Sequence, residues 1–171
     1  MGHPGGQVSR AGGNLNPVGP DRFREVMGHF PTGVAVITAT AASGPVGMTA
    51  NAVCSLSLEP LLLLVCFANE ARTLPPVRQG KRFGVNVLAA GQEELARLFA
   101  SKRPEAEKFA GVQHSVHDGI PVIDGVLAWV GCTLTELIPG GDHTIGIGAV
   151  TAAEASGSGE PLIWYRGEYR G

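Results

Sequence analysis

Gly47-Met48-Thr49-Ala50-Asn51-Ala52-Val53-Cys54-Ser55-Leu56-Ser57-Leu58-Glu59-Pro60 sets small hydroxyl and amide side chains into what otherwise reads as strand. It leads at once into Leu61 to Phe67, the longest apolar run of the chain. That run is short, partly β-branched and bounded by Pro60 and Asn69, which suits a buried strand. Thr49, Asn51, Ser55 and Ser57 share one parity, so an extended backbone lines their side chains along one face. Such a face can hydrogen-bond a sugar-alcohol chain or phosphate oxygens without a full charge. On spacing alone the plainer account, a solvent-facing strand rich in Ser and Thr, has the better claim.

Upstream, Ala42-Ser43-Gly44-Pro45 turns the chain, and Val34 to Thr40 is β-branched enough for a strand. Phe23, Val26, Met27 and Phe30 follow Asp21, read as an N-cap, at helical spacing, and Pro31-Thr32-Gly33 ends that helix. Residues 1–19 are rich in Gly, Pro and Asn, which predicts a flexible tail ahead of a domain at 20–171. Downstream, Thr73 and Pro75-Pro76 open a short helix that Gly80 stops, and Phe83 to Leu88 is a strand. Gln92 to Ser101 is a helix; Val126 to Ile138 and Thr144 to Ala153 pair across Pro139-Gly140-Gly141-Asp142; Pro161 to Tyr165 is a last strand. Six to eight strands in hairpin order, with three or four short helices, predict a mainly β antiparallel barrel over a doubly wound sheet.

The 171 residues, 44% apolar and 16% charged, suffice for a real core. A net charge of −2 with no basic block gives no case for nucleic acid. No apolar segment approaches the roughly 18 residues that span a bilayer, and the N-terminus lacks a secretory layout, so a cytoplasmic protein is expected. Cys54, Cys66 and Cys132 are separated and sit in apolar or strand-like surroundings, which predicts buried free thiols and neither disulfide nor zinc. No metal is expected: His114 and His117 lack completing ligands and read as surface loop. There is no G-x-G-x-x-G, Walker A or G-x-S-x-G element, and a hydrolase built on Cys54 lacks a visible partner histidine.

Four segments stand in order across residues 21–170: Phe30-Pro31-Thr32-Gly33-Val34; Gly47-Met48-Thr49 running to Ser55-Leu56-Ser57-Leu58-Glu59-Pro60; Phe83-Gly84-Val85-Asn86-Val87-Leu88 with Gln92 and the following helix; and Gly141-Asp142-His143 with Pro161-Leu162. Together they resemble the flavin reductase family, the small components of two-component flavin-dependent monooxygenases. The resemblance implies an FMN-binding split β-barrel of Greek-key type, usually a homodimer with the flavin near the subunit contact. It also implies hydride transfer from NADH, or secondarily NADPH, to FMN or FAD, the reduced flavin leaving by diffusion for a partner monooxygenase. The family's flavin contacts map onto Thr49, Ala50, Asn51, Ser55, Leu56 and Ser57, with Thr32 and Gly33 near the ring. Where the family often has Ser-x-Thr for the phosphate, this chain has Ala71-Arg72-Thr73, so one hydroxyl is replaced and Arg72 offers charge; FMN against FAD stays open.

His143, beside Gly141 and Asp142 at a turn, is the candidate for handling the nicotinamide. Arg82 and Arg166 are candidate phosphate partners or else surface charges, and Tyr169 either covers a bound ring or packs on the domain. Trp129 and Trp164 are assigned to core or dimer contact. The chemistry needs no catalytic carboxylate, because the cofactors carry it. A non-catalytic flavin carrier on the same barrel is the alternative. A pyridoxamine phosphate type oxidase would need more basic residues than the chain offers.

Overall fold

A computed structural model describes residues 17–171; residues 1–16, most of the expected tail, lie outside the described residues. Helix α1 (Pro20–Met27) and a two-residue strand β1 (Thr32–Gly33) come first. Then follow β2 (Ala35–Ala41), β3 (Gly44–Ala50), β4 (Val53–Leu58), β5 (Leu61–Ala68), α2 (Leu74–Gly80) and β6 (Arg82–Val87). Helices α3 (Glu93–Ala100) and α4 (Glu105–Phe109) precede a small hairpin, β7 (His114–His117) and β8 (Ile120–Ile123), where a loop was expected. The long pair β9 (Ala128–Gly140) and β10 (His143–Ala155) and the short pair β11 (Ile163–Tyr165) and β12 (Glu168–Arg170) end the chain. Gly19, not Asp21, is the N-cap of α1; Pro20 occupies the first helical position, which needs no N–H donor, and Asp21 sits in the first turn.

Seven strands make one antiparallel sheet in the order β3-β2-β6-β9-β10-β5-β4. The fold is thus mainly β with four short helices, as expected. Its two edge strands, β3 and β4, are consecutive in the chain and joined only by Asn51 and Ala52. The sheet therefore returns on itself through a covalent corner, where the Cys66 amide donates to the Ala52 carbonyl at 3.0 Å.

The concave side is packed with Ile37, Val65, Phe67, Phe83, Val85 and Cys132. Phe67 and Phe83 meet edge to face at 6.0 Å, a favoured aromatic geometry. Room for them comes from β10: a Cβ at Gly146 would stand 2.7 Å from the Phe67 ring, and one at Gly148 2.6 Å from Phe83. A second cluster seals the other side, where Ala96 and Phe99 of α3 cover Val36 and Leu88. Asn86, fully buried, is satisfied at both ends of its amide: Nδ2 donates to the Val36 carbonyl and Thr38 Oγ1, each at 3.1 Å, and Oδ1 accepts from the Ile123 N–H at 2.9 Å. A buried amide left unpaired would be costly, so this one fixes β2, β6 and β8 in register.

The single polar face expected along residues 49–57 does not form. Ser55 pairs with Leu63 but Ser57 pairs with Leu62, leaving Leu56 as the extra residue of a bulge. Paired residues share a face and Leu62 and Leu63 point oppositely, so Ser55 and Ser57 lie on opposite sides of the sheet.

Candidate functional site

Two clefts flank the Asn51–Ala52 corner. The larger, about 920 Å³, lies between α1, the β11–β12 hairpin and the outer side of β4 and β5. Its walls are mostly apolar, with Met27, Phe30, Leu64 and Trp164 among them. None of α1's residues is buried: Met27, and Phe30 beyond the helix end, stay exposed on the groove, while Phe23 and Val26 are exposed away from its lining. The helix end is tied down where the Arg166 amide donates to the Gly28 carbonyl at 2.9 Å. Asn51 Nδ2 donates to Thr32 Oγ1 at 3.1 Å, so two of the expected residues meet at one edge of this groove. Gly33 follows Thr32 in β1, which pairs with Ile163 and Trp164. Arg24 and Arg166 are the groove's cations.

The smaller cleft, about 220 Å³, opens between β3, the loop after β5, and the α3–α4 turn. Thr49, Arg72, Thr73, Ser101 and Lys102 line it. Its floor is an ionic network. Glu105 Oε2 accepts from the Gly47 N–H at 2.9 Å, while Oε1 lies 3.1 Å from Lys108 Nζ and 3.4 Å from Arg72 Nε. Lys108, almost fully buried, also donates to the carbonyls of Gly47 at 3.2 Å and Phe99 at 3.3 Å. Arg72 donates in addition to the Arg103 carbonyl. Thr49 Oγ1 donates to the Ala96 carbonyl at 2.6 Å, so its hydroxyl is already engaged with α3.

The turn at Gly141-Asp142 brings His143 opposite Ala68, beside the loop that carries Arg72. Gly141 has φ of +73°, which a glycine adopts without strain. His143 Nδ1 lies 2.8 Å from Asp142 Oδ1. Since a carboxylate only accepts, Nδ1 carries the proton of this bond. The same hydrogen bond, helped by the histidine's charge when protonated, holds the Asp142 carboxyl below the usual carboxylate range. Tyr169 meets Trp164 edge to face at 4.8 Å with the Arg97 guanidinium 5.4 Å from its ring centre, in a recess sharing Trp164 with the large groove. Burial pushes its phenol up.

Other expected residues are placed differently. Ala50 is buried beside Ala35. Ser55 and Leu56 are exposed on β4, and Ser57 Oγ accepts from the Glu59 N–H at 3.2 Å, so it shapes the β4–β5 turn. Arg82 starts β6 at the end remote from Ala35 and Ala50 and is ion-paired with Asp118 in the β7–β8 turn; the structure does not bring it to either cleft. Nor are the three thiols alike: Cys54 is exposed and Cys66 half-buried, both lining the large groove, and only Cys132 is sealed, its thiol pushed up by burial to about 12. Ahead of the bulge, Cys54 pairs with Leu64 and so lies on the outer side of the sheet, which parity of sequence did not reveal. His114 and His117 pack on Phe109 and Trp129 at 5.2 and 5.1 Å. Among the described residues no group of three or more His, Cys, Asp or Glu could hold a metal, and no helix is long and apolar enough to cross a membrane.

Comparison with known proteins bears on this arrangement. A probable flavin reductase of Rhizobium meliloti is 44% identical over 152 residues, 88% of this chain, which spans 48% of that longer relative. The reductase subunit HsaB of a flavin-dependent monooxygenase from Mycobacterium tuberculosis is 38% identical over 157 residues, 90% of this chain and 83% of that protein. A solved structure of the Streptomyces globisporus NADH:FAD oxidoreductase in complex with NAD and FAD fragments superimposes with a TM-score of 0.85 at 36% identity, covering 92% of this chain and 95% of that one. The model of the flavin reductase like domain family matches residues 27–171. With that match running through both clefts and the His143 turn, the chain belongs to the flavin reductase like domain family.

Proposed function

We propose that this protein is an NAD(P)H:flavin oxidoreductase, transferring hydride from NADH, or less readily NADPH, to FMN or FAD and releasing the reduced flavin to a partner monooxygenase by diffusion. The observation that carries the reading is the pairing of clefts around one corner: a roomy apolar groove edged by the neutral Asn51–Thr32 pair, and a small cleft bearing Arg72 and Lys102. A tricyclic ring suits the first, whose volume falls in the range of small-molecule sites; a phosphate suits the second. Flavin and nicotinamide supply the redox chemistry themselves when bound. What the chain supplies is position: Thr32, Gly33, Asn51 and Ala52 along the ring edge, Thr49, Arg72 and Thr73 toward the phosphate, and His143 with Asp142 at the nicotinamide. Trp164, with Tyr169 against it, closes the side of the groove at the β11–β12 hairpin.

The exposed apolar face of α1 and the outer side of β4 and β5 support a homodimer in which a second subunit covers the groove. The return of the sheet at Asn51–Ala52 supports a split barrel spanning residues 20–171. Free thiols support a cytoplasmic setting. Loss of absorbance at 340 nm, followed with NADH or NADPH and with FMN or FAD, tests the function. Flavin-dependent oxidation of one nucleotide is expected. Tight flavin binding without turnover in any of the four pairs would overturn the reductase and leave a flavin carrier.

A further inference from the structure

His143 is flanked by residues that are all fastened to one residue, Asn69, two through its side chain and one through its backbone. The Asn69 N–H donates to the Asp142 carbonyl at 3.0 Å. Its Nδ2 donates to the Gly141 carbonyl at 3.1 Å, and its Oδ1 accepts from Thr144 Oγ1 at 2.7 Å. The hydroxyl donor and the carbonyl acceptor fix which end of the amide is which. Gly141, Asp142 and Thr144 are thereby held from a residue more than seventy positions earlier, while the His143 ring bonds only Asp142.

We infer that Asn69 is the positioning residue for His143, clamping the Gly141–Thr144 turn so that Nε2 is presented toward the nucleotide. The inference rests on the proposed role of His143. Its chemistry is specific to asparagine: one planar group gives a donor and an acceptor, where aspartate lacks the donor and leucine lacks both. The three bonds lie at the surface and compete with water, so their effect on global stability is small. They act on the shape of the turn. Asn69 is also the first residue of the loop carrying Arg72 and Thr73, so the clamp sets the turn against the phosphate cleft.

The test is a double-mutant cycle of Asn69→Ala and His143→Ala, read as kcat/KM for NADH at saturating flavin. Flavin Kd and Tm are measured alongside. Asn69→Ala is expected to lower kcat/KM on the order of ten- to a hundredfold, as displaced positioning groups do. Flavin Kd should stay within about twofold, and the second substitution should add little once His143 is gone. Loss by the same factor in both backgrounds, or no loss, overturns the inference. Should Asn69→Ala fail to fold, Thr144→Val removes one bond of the clamp; it is expected to give a smaller loss that also vanishes without His143, and an additive loss is the contrary result. A His143→Ala enzyme with unchanged kcat/KM takes down the proposed role of His143 and the clamp together. A His143-dependent enzyme indifferent to Asn69 takes down the clamp alone.

Discussion

Two apolar regions of this molecule are built from the same residue types and meet opposite fates. Inside the sheet, Phe67 and Phe83 are fully buried, and glycines of β10 make way for them. At the end of α1 and just beyond it, Met27 is 48% exposed and Phe30 66% exposed, facing a groove large enough for a ring system. Scattered exposed apolar residues are ordinary, but a contiguous set around a concavity marks a place where something binds. The sealed region holds the fold. The open one is where the proposed flavin and a second subunit would sit.

That contrast can be broken at either end. The largest effect is expected from Phe83→Ala, which removes a ring packed against Phe67 and beneath Gly148; loss of about 3–5 kcal/mol in urea unfolding is the value for such cavities. A loss under about 1 kcal/mol would mean the sheet collapses around the gap and is not rigidly packed. Phe30→Ser with Met27→Ser should leave monomer unfolding within about 0.5 kcal/mol. The same pair should weaken self-association by about 2 kcal/mol or more, read by sedimentation equilibrium. If stability falls and association does not, the open face is a core element after all.

The thiols sharpen the comparison on a finer scale. Cys54 should react with maleimide in the native protein and be protected by flavin, whereas Cys132, with its thiol pushed up to about 12, should react only on unfolding. Mass spectrometry of the native, labelled protein showing Cys132 modified first would refute the burial contrast. The smallest effect concerns Asp142. Its carboxyl is lowered in the folded state by the His143 hydrogen bond, so its contribution is complete above the ordinary carboxylate pKa and fades as pH falls through the lowered one. Asp142→Asn should therefore match the parent at the acid end and differ slightly near neutrality. A larger gap in acid than at neutral pH would reverse the assigned sign.

The strands and helices with strong periodicity were readable in the residues: the Leu61 to Phe67 run became β5, and Leu95 and Phe99 placed α3. What parity misread was the stretch from Thr49 to Ser57. A corner at Asn51–Ala52 and a bulge at Leu56 each reset which side a residue faces, and neither leaves a mark in a two-residue alternation. Lys108 hid for a different reason. Beside Glu105 and Glu107 it looks solvated, yet it lies buried among carbonyls because α4 presses it onto β3. Asn69 was read as the end of a strand, and its partners 72 and 75 residues onward are invisible to local pattern. The amphipathic spacing of α1 announced an apolar face but not that the face is left open.

The pairing of β5 with β10 also bears on time. The β2–β3 and β9–β10 hairpins join close neighbours and can form in microseconds, whereas β5 must find β10 across a long stretch of chain. The Asn69 clamp on the His143 turn lies across that late pairing. Recovery of nucleotide oxidation on refolding should therefore lag behind the return of hairpin structure seen by far-ultraviolet circular dichroism. Activity would then serve as a clock for the last step of folding, and simultaneous recovery of the two signals would show that the sheet forms in one concerted event.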